Sequence, residues 1–469
     1  MSPKRDDSWS QAREGWEMTK GLMHPLAMDG GNPANVRGDK ITADRYFSRE
    51  FMRREWDHMW TKVWHIAGRT AQLEEAGDYI VHNFMHESVM IVMQEDGTLK
   101  GFYNVCRHRG QRLVWQDGSQ DSFTCPYHAW KWGLDGSLQA VTDPDDFPQG
   151  NPCGKLTLRS VRVDTWAGVV WYTMDDQAPS LQEFLAPIPD IYKNFPLETM
   201  IRTRWVRITG LPSNWKMYSD NFNESYHTQT AHPHIVTRCD QDPATSRYEM
   251  FSSGHARIIQ LGRPSFRDRP DGDTAHVFDE ILLEWGLDPN AYPDYETKVV
   301  QGWLDLKAAK RAKWHERGMP HLEKLDDEQL TETMFNFVFP NRTFGAGAEG
   351  SRVTIFEPDR DDPEKCNFEY WDLSYPDPNG AGFRPKFSNI VFEVKEAKLE
   401  QYTYDEVHDI ESISKNTVIY QDMELSEGQK AGWRSRGYDE NPWYAAQETR
   451  VARFEENLND YLAGNPPGR

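Results

Sequence analysis

The chain has 469 residues, 38% of them hydrophobic and 27% charged, with a formal net charge of -21. That length supports a substantial core and two or more domains, and the composition is globular rather than disordered. The acidic balance excludes nucleic acid as a partner, because neutralising phosphate needs a basic face.

The start, MSPKRDDSWSQAREGW, has no apolar core of the kind a signal peptide carries. No later stretch approaches the length of apolar chain that a membrane helix needs. Five cysteines in 469 residues is cytosolic usage, not a disulfide framework. A cytoplasmic protein without membrane contact is expected.

Residues 1–40 are polar and carry MDGGNPANVRGDK, so a loop-rich N-terminal segment is predicted. ITADRYFSREFMRREWDHMWTKVW (41–64) reads as a helix capped by Thr42, with Tyr46, Met52, Trp56, Met59, Trp60 and Val63 as its apolar stripe. From 65 to about 175 the pattern changes to short alternating runs: DYIVHNF, SVMIVMQ, LKGFYNV and VVWYTM. Turns such as EDGT and LDGS separate them. A small antiparallel β-domain is expected, bounded with its leading helix at 41–178.

PSLQEFLAPIPDIYKNF opens a second domain, 179–469. Its predicted strands are RTRWVRITG, RYEMFSSGHARIIQ, NFVFPNRTF, SRVTIFEP and NFEYWDLSY. Its long helices are predicted at about 213–230, 297–316, 387–402 and 440–463. Strands and helices are segregated rather than strictly alternating, which points to an α+β fold. The polar stretch 267–330 reads as a helical insert that caps a pocket or forms a subunit contact. GAGAEG (345–350) precedes a strand rather than a helix, so it reads as a turn and not a dinucleotide loop.

Within the β-domain, CRHRGQRLVWQDGSQDSFTCPYHAW places Cys106-x-His108 and Cys125-x-x-His128 a short arm apart. Zinc also accepts such a set, but zinc fingers usually pair cysteine with cysteine and histidine with histidine. Here each loop offers one of each. A two-iron cluster fits this better, with both thiolates on one iron and both imidazoles on the other. Gly110 lets one loop turn, Pro126 stiffens the other, and Tyr127 is a candidate donor to a cysteine sulfur.

In the second domain, NWKMYSDNFNESYHTQTAHP holds His227 and His232. Five residues apart, they are too far round an ideal helix to share one face. Pro233 disfavours helix at His232, so the helix should distort or end there. Two imidazoles and one carboxylate complete a facial triad for non-heme iron. The candidate carboxylates are Glu224, Asp220 and Asp240 nearby, and Asp422 far downstream.

These segments resemble the Rieske non-heme iron ring-hydroxylating oxygenases, alpha subunit. The resemblance covers most of the chain, through the WxxMWTKVW helix, GDY, the C-x-H/C-x-x-H pair, NWK, FPN (339–341) and the QDMELSEGQ segment; the 267–330 insert lies outside it. It implies a Rieske [2Fe–2S] domain followed by a helix-grip catalytic domain. It implies Cys106, His108, Cys125 and His128 as cluster ligands, and His227, His232 and Asp422 as ligands of a mononuclear Fe(II). Glu224 is then the carboxylate that bridges to a cluster histidine of the partner subunit, with Asp220 left near the site or as helix charge. Most members have aspartate at the bridge; a minority, including some acting on quaternary ammonium compounds, have glutamate.

The resemblance further implies O2 as co-substrate and a head-to-tail homotrimer, with or without a small beta subunit. The chain shows no flavin or nicotinamide motif, so electrons from NAD(P)H are expected to arrive through a separate reductase or ferredoxin. The high aromatic content leads to an apolar or aromatic substrate as the first expectation. The alternative is a monooxygenase or demethylase acting on a quaternary ammonium or other N-/O-alkyl substrate.

Overall fold

The computed structural model describes residues 36–243, 245–265, 276–376, 393–414, 417–438 and 443–467. The expected loop-rich start lies almost wholly outside them. The chain divides into two compact units. One is Arg53–Phe184; the other joins the residues up to Met52 to Leu185 onward.

The predicted helix at 41–64 is broken into three pieces: a 3-10 turn at Ala43–Tyr46, an α-helix at Arg49–Glu55 and a π turn at Trp56–Trp60. Thr42 makes no side-chain cap. Trp64 already begins a strand. The apolar spacing misled because the bulky Trp56, Met59 and Trp60 are accommodated by a wider turn rather than a regular helix.

Arg53–Phe184 is built on strands β1 (Trp64–Arg69), β2 (Asp78–Phe84), β3 (Glu87–Met93), β4 (Leu99–Tyr103), β5 (Gly118–Ser119), β6 (Ser122–Thr124), β7 (Lys131–Gly133), β8 (Leu138–Ala140), β9 (Ser160–Trp166) and β10 (Val169–Thr173). Seven form an antiparallel sheet in the order β1-β10-β9-β4-β3-β2-β5; β6-β7-β8 form a second, smaller sheet. The run VMIVM in β3 is apolar at every position because both faces of the sheet are covered. Met90 and Val92 face a core with Cys106, Phe123, Cys125 and Trp132, whereas Val89 and Ile91 face one with Ile80, Val170 and Tyr172. The alternating side chains of one strand thus pack beneath the two cysteine/histidine loops on one side and fill a second core on the other.

The second unit carries an eight-stranded sheet. Its strands are β11 (Ile201–Leu211), β12 (Arg247–Met250), β13 (Ala256–Gln260), β14 (Thr333–Val338), β15 (Arg342–Ala346), β16 (Gly350–Pro358), β17 (Cys366–Ser374) and β18 (Leu399–Thr403), in the order β12-β13-β14-β15-β16-β17-β11-β18. All pairs are antiparallel except β11 with β18. Two predicted single strands are each a hairpin: β12/β13 and β14/β15. The GAGAEG run turns β15 into β16, closed by Gly347 N–H to the Gly350 carbonyl at 2.8 Å.

The predicted helix at 387–402 is corrected. Residues 387–392 lie outside the described residues, and Leu399–Thr403 is the edge strand β18. Its alternating exposure, with Glu400 and Tyr402 half-buried between exposed neighbours, is the period-two pattern of an edge strand. The helix at Thr417–Trp433, which carries Asp422, was not predicted. Helices at Tyr295–Lys313 and Thr449–Leu462 match two of the expected ones. Val451, Phe454, Leu458 and Leu462 are all buried, with Phe454 against Trp215, Phe337 and Phe339. Among the described residues, no helix is long and apolar enough to cross a membrane.

Candidate functional site

The two cysteine/histidine loops share one backbone design. Cys106 N–H bonds to the Gln111 carbonyl at 2.7 Å, and Gly110 N–H returns to the Cys106 carbonyl at 3.0 Å. Cys125 N–H bonds to the Trp130 carbonyl at 2.8 Å, and Ala129 N–H returns to the Cys125 carbonyl at 3.0 Å. The fourth residue after each cysteine takes a positive φ, 77° at Gly110 and 57° at Ala129. A glycine marks this turn in the sequence; an alanine held in the same strained region does not.

Cys106 and Cys125 are buried and free. Burial pushes the Cys106 thiol above the ordinary cysteine value, against the opposing pull of the His108 backbone N–H and the Trp132 indole. The rings of His108 and His128 stand 4.7 Å apart, and His108 stacks flat on Trp130 at 4.5 Å. His108 Nδ1 is buried with no hydrogen-bond partner among the described residues. An orphaned imidazole nitrogen beside two unbridged buried thiols fits a mixed thiolate/imidazole cluster. Tyr127 is 55% exposed, lies against His128 at 3.8 Å and receives Arg109 over its ring at 5.3 Å. Among the described residues, Tyr127 makes no hydrogen bond to a cysteine.

In the second unit, the helix predicted at 213–230 is two short helices, Trp215–Asn221 and Thr228–Ala231. Asn214 caps the first, its side chain accepting from Lys216 N–H at 3.0 Å. The break at 222–227 re-aims His227, and His232 leaves the second helix at φ -130°, ψ 54°, ahead of Pro233. Phe222 anchors the break against Phe356 at 5.1 Å and Phe335 at 5.9 Å.

This local irregularity brings His227, His232 and Asp422 together, one ligand atom from each lying within 4.8 Å of the others. His232 Nε2 is 2.8 Å and His227 Nε2 3.6 Å from Oδ1 of Asp422. His232 and Asp422 are buried and His227 is half-buried. Each imidazole is fixed from behind. His227 Nδ1 bonds the Glu224 carboxylate, and His232 Nδ1 lies 2.7 Å from Gln421 Oε1. With Nδ1–H donating to those acceptors, both Nε2 atoms present lone pairs toward one point. Asn221 Nδ2 donates to Asp422 Oδ1 at 3.2 Å. The donor set of two imidazoles and one carboxylate fits a mononuclear iron with positions left for oxygen. Gln421 and Asn221 were missed from sequence, although Gln421 stands directly before Asp422.

The other carboxylates sort differently. Asp240 pairs with Arg263 at 3.8 Å, away from the triad. Asp220 accepts from Tyr46 Oη at 3.0 Å, and the same hydroxyl lies 3.2 Å from Glu455. Burial and the Glu455 charge push Asp220 well above the usual carboxylate range. Asp220 thus belongs to a buried node with Tyr46, Arg45 and Glu455 rather than beside the triad. Glu224 is held by Tyr226 N–H, His227 N–H and His227 Nδ1. Hydrogen bonding to Glu224 and its charge raise His227 above the ordinary histidine value despite burial.

A cavity of about 480 Å³ lies between β14–β16 and the helices His276–Glu284 and Tyr295–Lys313. Phe335 lines it on one side and stacks on Phe222, the residue after Asn221, on the other.

The family description "Rieske [2Fe-2S] domain" matches residues 63–157, and "Ring hydroxylating alpha subunit (catalytic domain)" matches residues 163–464. The carnitine monooxygenase oxygenase subunit of Escherichia coli (strain K12) is 32% identical over 195 residues, 41% of this chain and 52% of that relative. The chlorobenzene dioxygenase subunit alpha of Cupriavidus sp. (strain PS12) is 28% identical over 329 residues, 66% of each. The chain spans about half the length of the carnitine monooxygenase subunits it matches. The solved quaternary ammonium Rieske monooxygenase CntA shares the fold, with a TM-score of 0.62 at 20% identity over 92% of this chain and 97% of that one. The catalytic-domain match alone runs over well more than half the sequence, directly behind the Rieske domain. On that ground the chain belongs to the Rieske ring-hydroxylating oxygenase alpha subunits, a family built on a [2Fe–2S] cluster and a mononuclear non-heme iron.

Proposed function

We propose that this chain is a terminal oxygenase component that uses O2, with electrons from a separate reductase or ferredoxin, to hydroxylate a quaternary ammonium or related N-alkyl substrate. The observation that carries the reading is the bond between Glu224 and His227 Nδ1 behind a preformed His227/His232/Asp422 set. The glutamate at this position and the carnitine and quaternary ammonium relatives support the ammonium branch over the aromatic one. The first expectation, an apolar or aromatic substrate, thereby becomes the second reading.

In this reading Cys106, His108, Cys125 and His128 hold the cluster, and His227, His232 and Asp422 hold the iron. When bound, these metals supply one-electron delivery and oxygen activation. The chain's own work is positional. Gln421 and Glu224 keep the Nδ1 protons, so that both Nε2 atoms are free to ligate. Phe222, in the ligand segment, stacks on Phe335, which also lines the cavity. Glu224 serves as the bridge toward His128 of the partner subunit, within a closed ring of three copies. A small beta subunit is compatible with this arrangement.

One observation favours the second reading. Trp285, on the cavity wall, already has the Arg317 guanidinium over its ring at 4.6 Å. That face is not open to a substrate cation, and Ile281, Leu306, Met334 and Phe335 make much of the remaining lining apolar. Labelled O2 turnover with a matched reductase decides between them. The ammonium reading expects one labelled oxygen and C–N cleavage from trimethylammonium substrates. Cis-diols carrying two labelled oxygens from aromatic rings, with no turnover of the ammonium compounds, would establish the second reading instead.

A further inference from the structure

Tyr46 Oη stands between two carboxyl groups, 3.0 Å from Asp220 Oδ2 and 3.2 Å from Glu455 Oε1. The three side chains come from three elements: the 3-10 turn Ala43–Tyr46, the helix Trp215–Asn221 and the helix Thr449–Leu462. A phenol has one hydrogen to give, and an ionised carboxylate has none. Two contacts need two hydrogens. With the phenol donating to Asp220, the contact to Glu455 has none.

The surroundings say which carboxyl supplies the second. Glu455 has its counter-charge in Arg45, and both side chains of that ion pair are nearly fully buried. Asp220 is placed differently: its other oxygen, Oδ1, is buried with no hydrogen-bond partner among the described residues. Lys216, on the same helix as Asp220, lies over the Trp215 ring at 5.0 Å and the Tyr46 ring at 5.8 Å. Trp433 stacks flat on Tyr46 at 3.7 Å. Two carboxyl groups that share a site do not both ionise, and burial disfavours charge on the one without a cation. Burial and the Glu455 charge lift Asp220 accordingly, against the opposing pull of Tyr46, Arg45 and Lys216.

We propose that Asp220 is a positioning residue that works as a neutral acid: it donates to Tyr46, which donates to Glu455, and this tie fixes the end of the Trp215–Asn221 helix. Both contacts then have their hydrogen, and one negative charge faces the one guanidinium of Arg45. Asn221 is the last residue of that helix and donates to Asp422 at 3.2 Å. The tie thus joins the start of the described chain and the C-terminal helix to the residue that steadies Asp422. The tie stands on these contacts; its value to metal binding rests on reading Asp422 as an iron ligand.

The test uses the full-length, metal-loaded protein and two variants. D220N carries an amide that donates to Tyr46 without a charge; D220A donates nothing. At about pH 7.5 an ordinary aspartate is fully ionised, so a protonated carboxyl there is a distinct signal. The parent-minus-D220N infrared difference spectrum should contain the C=O stretch of a protonated carboxyl, and Y46F should shift that band. Absence of the band overturns the proposal. Fe(II) binding by the iron-depleted proteins reads the positioning role. D220N should bind within about twofold of the parent, and D220A about 10-fold more weakly. D220N binding as poorly as D220A overturns the neutral acid, and equal binding by all three overturns the positioning role. If D220A does not fold, a folded D220N with parent-like iron binding supports the tie, and failure of both sinks it. A parent that takes up no mononuclear iron would remove the iron reading, while the carboxyl band still decides the tie.

Discussion

His232 Nε2 stands 2.8 Å from Asp422 Oδ1, across 190 residues of chain. Both side chains are nearly fully buried. The Thr417–Trp433 helix carries not only Asp422 but also Gln421, so one helix supplies the carboxylate of the candidate triad and fixes the orientation of its His232. The short helix Thr228–Ala231 therefore cannot move relative to it without opening the site.

Gln421→Ala should weaken iron binding without removing a ligand. It frees His232 Nδ1, so the ring loses its fixed tautomer and orientation. The expected cost is about 10- to 100-fold in metal affinity or activity. Titration of the iron-depleted protein with Fe(II), read by metal content after desalting, measures it; an unchanged affinity would show that Gln421 does not hold the ring.

Glu224→Gln should keep both metals and lose turnover by about 10- to 100-fold. The amide still reaches His227 but carries no charge. Iron analysis and steady-state rates with a reductase check it. Turnover at the parent rate with intact coupling of O2 use to product contradicts the bridge assignment.

Asp240 gives a pH signature. Burial lifts its carboxyl to about 6, against the pull of Arg263. The folded value lies above the unfolded one of about 3.9. The native state therefore holds the proton more tightly, and this stabilisation is full below about pH 4 and lost as pH rises through about 6. Between about pH 5 and pH 7 the contribution falls by on the order of 1 kcal/mol. Urea unfolding should show that fall in the parent relative to Asp240→Asn, which lacks the group. Parallel stability profiles for the two proteins would count against it.

Gly262→Ala tests the cavity wall. A Cβ there would sit 1.8 Å from the Thr331 carbonyl oxygen, while Gly262 N–H already bonds Glu332 at 2.8 Å. Backbone on both sides must shift, so destabilisation of about 1–3 kcal/mol or more is expected. Denaturant unfolding reads it directly, and an unchanged midpoint would mean the segments at Gly262 and Thr331 yield more easily than packing implies.

The sequence carried the chemistry more clearly than the architecture. Ligand spacing in CRHRG and CPYH is local, so resemblance could reach it. The α+β class followed from the segregation of strands and helices. What escaped was set by tertiary contacts. Residues 213–230 look like one helix, but Phe222 is drawn onto Phe335 and Phe356, which breaks it. The helix holding Asp422 lacks a clean apolar stripe, because its polar Gln421, Asp422 and Ser426 face inward to serve the site or the core. Ala129 adopts the backbone of Gly110 with no residue signal to announce it. Asp220 stands close to the triad in sequence, yet it is hydrogen-bonded to Tyr46, whose hydroxyl also faces Glu455.

If one chain holds two metal sites and Asp422 serves only the second, its loss must leave the cluster intact. Iron quantitation and EPR of the dithionite-reduced protein, parent against Asp422→Ala, test it most directly. Iron should fall from about three per chain to about two, with the reduced cluster signal unchanged. Loss of the cluster signal in that variant, or an undiminished iron content, would contradict it.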